Sequence, residues 1–113
     1  MNMIGVLEAL SGAVAVMAGA RGAHGATGEA AEWLRTGSHY QMVHAVAALV
    51  VMGLPGGRWP ALLFVVGAAF FAGSLYAMAY GVPARAIWFV TPLGGLLLIA
   101  GWVWLAIGMM RGQ

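Results

Sequence analysis

The sequence predicts an all-α membrane protein, a four-transmembrane-helix antiparallel bundle with glycine-rich heptad packing. Its 113 residues are 63% hydrophobic and only 7% charged, and the mean hydropathy of +0.92 is far above that of soluble domains. Four segments have the roughly 20 residues that are needed to cross a bilayer. They lie at about 3–23, 37–54, 60–81 and 86–110. Their connections are too short for an extramembrane domain, so we predict a single integral membrane domain over residues 1–113.

The first segment has no charged residue apart from Glu8 and Arg21, and Arg21 lies near its end. Ala18-Gly19-Ala20 fits the cleavage pattern of a signal peptide, but no Lys or Arg precedes Arg21, so we interpret the segment as a transmembrane helix. Glu8 lies about five residues inside the membrane edge. Its carboxyl group is either protonated or paired with Arg58 or Arg111, or it belongs to a proton or ion path.

The second segment is unusual because its continuous apolar run, from Met42 to Leu54, is too short to span a bilayer. A helix that spans must therefore begin near residue 37, which brings Gln41 and His44 into the hydrocarbon region. Lipid would not tolerate these side chains, so they should face other helices. Residues at about 28–35 have the composition of either a short interfacial helix or an irregular connection.

The last two segments follow turn sequences, Pro55-Gly56-Gly57 and Gly81-Val82-Pro83, which predict antiparallel neighbours. Pro92 cannot donate to the carbonyl of Trp88, so we expect that acceptor to need another donor, such as Thr91.

Small residues recur at seven-residue intervals in three segments, and this period predicts close helix packing along left-handed crossings. An oligomer face or a pore lining would produce the same period. The residues are Gly5, Gly12 and Gly19, then Gly67 and Gly81 with Ser74 between them, then Gly94, Gly101 and Gly108.

The positive charges are five scattered arginines, without the clustered basic patch that nucleic-acid binding requires. Three of them belong to the first and third connections, which favours a cytoplasmic location for these connections and external termini. The arginines are Arg21, Arg35 and Arg85 on that side, and Arg58 and Arg111 on the other.

A polar cluster is the candidate site. In an antiparallel bundle one membrane edge collects the end of the first helix, the start of the second, the end of the third and the start of the fourth. That edge contains His24, Gln41, His44, Tyr76 and Thr91. Such residues mark functional sites in membranes, although hydrogen bonds between helices also explain them. A two-histidine metal site or haem ligation lacks supporting spacing, so we predict no metal and no cofactor.

Most enzyme classes lack support in this sequence. The absence of cysteine excludes disulfides, thiolate metal sites and a cysteine nucleophile. The chain also has no Asp, and the hydrolase, phosphate-loop and zinc-protease motifs are missing. We therefore predict no catalytic residues and no enzymatic activity.

Four motifs, in order and spread over nearly the whole chain, resemble those of the "domain of unknown function 423" family, also called uncharacterised protein family 0382. They are Gly22-Ala23-His24-Gly25, Tyr40-Gln41-Met42-Val43-His44-Ala45, Gly73-Ser74-Leu75-Tyr76 and Thr91-Pro92-Leu93-Gly94-Gly95. Arg21 departs from the pattern, which has an aromatic residue there. The resemblance implies four transmembrane helices, the bacterial inner membrane and no assigned activity.

Two functions fit these features best, and a membrane enzyme or redox carrier is a third alternative. The first is a non-enzymatic bundle that binds a small ligand or lipid in a polar pocket in one half of the bilayer, or supports a partner membrane protein. The second is an oligomeric small transporter or proton or ion channel, with Glu8 and His44 on its path. The expected partners are membrane lipids, with a membrane protein or further copies of the chain as alternatives.

Overall fold

The computed structural model describes residues 1–112, and they form four α-helices with one short 3-10 turn. The all-α class is confirmed. The helices are α1 (Met3–His24), α2 (Gly28–Val51), α3 (Arg58–Ala79) and α4 (Val90–Met110), and the 3-10 turn is Ala84–Ala86.

Within the described residues, α1, α3 and α4 are long and apolar enough to cross a membrane. The remaining helix, α2, contains 24 residues, and its first half carries Glu29, Glu32 and Arg35. Because of these charges, α2 is less apolar than the other three helices, although it is long enough to cross a membrane. At about 1.5 Å per residue it extends about 36 Å.

The structure corrects the predicted start of the second helix. One continuous helix covers both the interval of about 28–35 and the segment expected to begin at residue 37. Ala31 and Leu34 are buried, and both lie against Gly22 near the end of α1. The first half of α2 therefore packs against α1. This packing stabilises α2 as one continuous helix that includes Gly37.

The predicted start of the fourth helix is also wrong, because α4 begins at Val90 and residues 84–86 form a 3-10 turn. Pro92 consequently lies in the first turn of α4. Backbone N–H groups in a first turn have no partner within their helix, so proline at this position removes no helical hydrogen bond. Trp88 lies before α4, so Pro92 does not deprive its carbonyl of a hydrogen bond within the helix.

The core lies where α2, α3 and α4 meet. Its central cluster contains Ala48, Val51, Ala61, Phe64, Ala68 and Leu98. The start of α1 lies near the end of α2, and the end of α1 lies near the first half of α2. Gly5, near the start of α1, lies beside Met52 just after α2, whereas Gly22, near the end of α1, lies beside Leu34.

Some of the periodic glycines mark very close helix contacts. A Cβ atom on Gly101 would lie 2.6 Å from the ring of Phe64, and one on Gly67 would lie 2.9 Å from the side chain of Leu98. A Cβ atom on Gly12, in contrast, would have no neighbour within 4 Å. Close approach is therefore observed between α3 and α4, and the seven-residue packing pattern as a whole stays a prediction.

Candidate functional site

One hydrogen-bonded bridge joins three helices through Gln41. The Tyr76 hydroxyl of α3 donates to Gln41 Oε1 over 2.7 Å, and Gln41 Nε2 donates to Ser11 Oγ of α1 over 3.0 Å. Gln41 is only 8% exposed. The Tyr76 ring fits there because Gly37 has no side chain, since a Cβ atom would come within 2.6 Å of the ring. Both polar ends of the amide are thus engaged within the bundle.

His44 forms a second link, in which its neighbours determine the tautomer. Trp102 Nε1 of α4 lies 3.0 Å from His44 Nε2, and an indole N–H can only donate, so Nε2 accepts. The ring proton is then on Nδ1 and is donated to the carbonyl of Tyr40 over 2.6 Å. His44 is 5% exposed and lies edge-on against Phe64. Both of its ring nitrogens are engaged.

A third link joins α3 to α4 through the hydroxyls of Ser74 and Thr91. Ser74 donates its single proton to the carbonyl of Phe71 over 2.9 Å, so Thr91 is the donor to Ser74. In the sequence, Ser74 belongs to the small residues that recur at seven-residue intervals, and nothing there connects it with Thr91. The pair becomes evident only when the two helices are packed.

The five predicted site residues therefore fall into separate groups. Gln41 and Tyr76 share one bridge, His44 and Thr91 belong to two other links, and His24 is exposed at the end of α1. Sequence reasoning missed Ser11 and Trp102. A single serine on an apolar helix gives no periodic signal, and tryptophan is common at membrane interfaces, so the sequence gives no reason to expect Trp102 beside His44.

Glu8 takes part in none of these links and is 2% exposed. Its Oε2 atom has no hydrogen-bond partner in the part of the chain that the structure describes. Neither expected partner, Arg58 or Arg111, therefore reaches this oxygen. A buried polar atom without a partner is uncommon in proteins and is a candidate for functional use.

An open groove of about 580 Å³ lies on the outer surface where α1 and α2 meet. It is lined by Ala15, Val16, Gly19, Ala20, Arg35, Ser38, His39, Met42 and Val43. None of the five predicted site residues lines this groove. His39, which is exposed, does line it.

No group of three or more potential metal-binding side chains occurs within residues 1–112. A metal ion on His44 would have to displace either the Trp102 indole or the Tyr40 carbonyl. The three links described above are hydrogen bonds between helices rather than ligands arranged around a metal ion.

The apolar helices and the internally bonded polar side chains define a small α-helical integral membrane protein. The inner-membrane location agrees with the name of an Escherichia coli relative. The chain belongs to the family described as protein of unknown function DUF423, whose profile matches residues 18–95. The match includes all four motifs and ends at Gly95, the last residue of the final one. The predicted family is confirmed.

The relatives are similar over almost their whole length. A UPF0382 membrane protein of Haemophilus influenzae is 37% identical, over 95% of this chain and 93% of the relative. The UPF0382 inner membrane protein YgdD of Escherichia coli K12 is 35% identical, over 94% and 88% respectively. A UPF0382 membrane protein of Staphylococcus haemolyticus is 35% identical, over 98% of both chains. No solved structure matches the chain.

Proposed function

We propose that this protein is a non-enzymatic, four-transmembrane-helix bundle that binds phospholipid at its outer surface, while its polar side chains hold the helices together. The observation that carries the proposal is that the amide oxygen and the amide nitrogen of Gln41 and both ring nitrogens of His44 have hydrogen-bond partners inside the bundle. A polar pocket would instead present such groups to a ligand. Binding is therefore assigned to the grooves outside the bundle.

The proposal includes an antiparallel bundle in which α2 also crosses the membrane. Only residues 25–27 connect α1 to α2, and α1 is long enough to span by itself. The reversed contacts of Gly5 and Gly22 with α2 support opposite helix directions. The polar groups of Gln41 and His44 are satisfied internally, which removes the main objection to placing this helix in hydrocarbon.

Native mass spectrometry of the detergent-purified protein tests this function. We expect phospholipid to remain bound, and we expect Gln41→Leu to retain the same amount. That variant should lose about 0.6–1.7 kcal/mol of folding free energy, because interhelical hydrogen bonds in membranes contribute about that much. Ser11→Ala is the matched control, since it breaks the same bridge from the other end. A retained non-lipid molecule that disappears in Gln41→Leu, or no retained lipid, would contradict the proposal.

A second function, an oligomeric proton or ion conductor, is favoured by one observation, the unpartnered and buried Oε2 of Glu8. Ionisable groups within membranes commonly mark ion pathways. Four helices leave little room for alternating access in one subunit, so this function requires several copies of the chain. His44 is a weaker member of such a path, because both of its nitrogens are engaged.

Flux measurements in proteoliposomes test this second function. If the chain conducts, Glu8→Gln should lower the proton or cation flux at least tenfold, because it removes the only buried carboxylate in the described residues. Glu29→Gln serves as the control, since Glu29 is exposed in the first turn of α2 and should leave the flux unchanged. Flux equal to that of empty vesicles for the wild-type protein would eliminate this function.

A further inference from the structure

We infer that the groove between α1 and α2 binds an anionic phospholipid, with the lipid phosphate against Arg35 and an acyl chain along the apolar part of the groove. This inference rests on the proposed lipid-binding function and specifies its site and the class of lipid. Three features of the groove carry it: the position of the charge, the small residues that form its floor and the order of polar and apolar residues along it.

The charge lies at the end of the groove that is nearest the membrane edge. Gly22, two residues before the end of α1, packs against the Cγ atom of Arg35. Arg35 itself is exposed, and it lies on the side of the groove where α1 ends and the chain turns into α2. This is the depth at which lipid phosphates are found, and the flexible stem of arginine lets its head reach them.

The floor of the groove is formed by residues too small to fill it. A Cβ atom on Gly19 would lie 2.7 Å from Ser38 Oγ, so the two helices approach closely at this point. The Ser38 hydroxyl donates to the carbonyl of Ala15 over 2.7 Å and is thereby used within the protein. The part of the groove that remains open to a lipid tail is apolar, and we call this part the trough.

Polarity decreases along α2 in the direction of the bilayer centre. Arg35 and His39 are one turn apart, and Met42 and Val43 follow about one turn deeper. From Arg35 to Met42 the helix rises about 10 Å, a length suited to the upper part of an acyl chain. A headgroup followed by a tail has the same order of polarity.

The arginine explains why the lipid should carry a net negative charge. Acyl chains are already in an apolar medium, so the trough gains little over bulk lipid and cannot discriminate strongly. Arginine remains charged and can form paired hydrogen bonds with phosphate oxygens. A zwitterionic headgroup supplies its own cation to the phosphate, whereas an anionic headgroup does not. Glu32, one turn before Arg35, is not among the residues that line the groove.

The test is a competition between lipids for the delipidated full-length protein. Dioleoylphosphatidylglycerol and dioleoylphosphatidylcholine are added in equal amounts, and bound lipid is counted by native mass spectrometry. We expect the wild type to prefer phosphatidylglycerol about fivefold, as one interfacial arginine supports. Arg35→Gln should remove the preference, and Arg35→Lys should keep part of it. Arg85→Gln is the matched control, because Arg85 is exposed outside the groove, in the Ala84–Ala86 turn.

Filling the trough provides an independent variant that leaves Arg35 in place. Ala20 is exposed and lines the groove, so Ala20→Trp should fold and should lower the retention of phosphatidylglycerol. An unchanged preference for phosphatidylglycerol in Arg35→Gln, or an equal loss of this preference in Arg85→Gln, would overturn the anionic-lipid site. If lipid is still retained in that case, the proposed lipid-binding function stands. If the wild type retains neither lipid, the proposed function itself fails.

Discussion

Gly94→Ala is expected to lower the free energy of unfolding by about 3 kcal/mol, the upper end of the usual effect of overpacking. The added Cβ atom would overlap the backbone nitrogen of Phe71 and lie 2.8 Å from the carbonyl oxygen of Gly67. Both are main-chain atoms, so no side-chain rotation relieves the clash and α4 must move away from α3. Denaturation by sodium dodecyl sulfate in mixed micelles measures the loss.

Gly95→Ala is the matched control for this prediction. Its Cβ atom would lie 3.8 Å from the ring of Phe71, an ordinary van der Waals contact. Because alanine favours helix over glycine by up to about 1 kcal/mol, this variant should be neutral or slightly more stable. Similar losses in the two variants would show that helix propensity, rather than the contact between α3 and α4, controls the result.

Phe64→Ala should also cost about 3 kcal/mol, the low end of the range for deleting a buried phenylalanine. The side chain is 0% exposed and contacts Gly101, His44 and Trp102. In a bilayer the transfer of apolar groups from water contributes little, so the cost arises mainly from the cavity and the lost contacts. The same denaturation experiment measures it, and tryptophan fluorescence should report a changed environment of Trp102.

Phe70→Ala provides the comparison on the same helix. Phe70 is 41% exposed on the outer face of α3, where lipid replaces the contacts of the deleted ring. Phe70→Ala should therefore lower the free energy of unfolding by less than about 1 kcal/mol. If both variants were equally unstable, the packing of Phe64 at the meeting point of α2, α3 and α4 would not be the source of stability.

The polar residues connect specific pairs of helices, and this explains their distribution better than a common pocket does. Gln41 links α2 to α1 and α3, His44 links α2 to α4, and the Ser74–Thr91 pair links α3 to α4. Apolar packing in lipid distinguishes poorly between alternative helix neighbours, whereas a buried polar group requires a particular partner. These links can therefore select one helix arrangement.

Helix existence was predictable because hydropathy and turn residues are local properties. The predicted first and fourth segments end within one residue of α1 and α4, and the third is offset by two residues. The start of α2 was not predictable from such signals, because Glu29, Glu32 and Arg35 resemble an extramembrane connection. Packing of Ala31 and Leu34 against Gly22 overrides that local composition.

The sequence by itself determined the membrane class, the all-α fold and the family, because these follow from composition and from motifs in order along the chain. It also identified Gln41, His44 and Thr91 as polar side chains within the membrane that need partners. Only the tertiary structure decided who those partners are: Ser11 for Gln41, Trp102 for His44 and Ser74 for Thr91. The reason is physical. A hydrogen bond depends on distances of about 3 Å between atoms of different helices, and no local pattern encodes the packing that sets them.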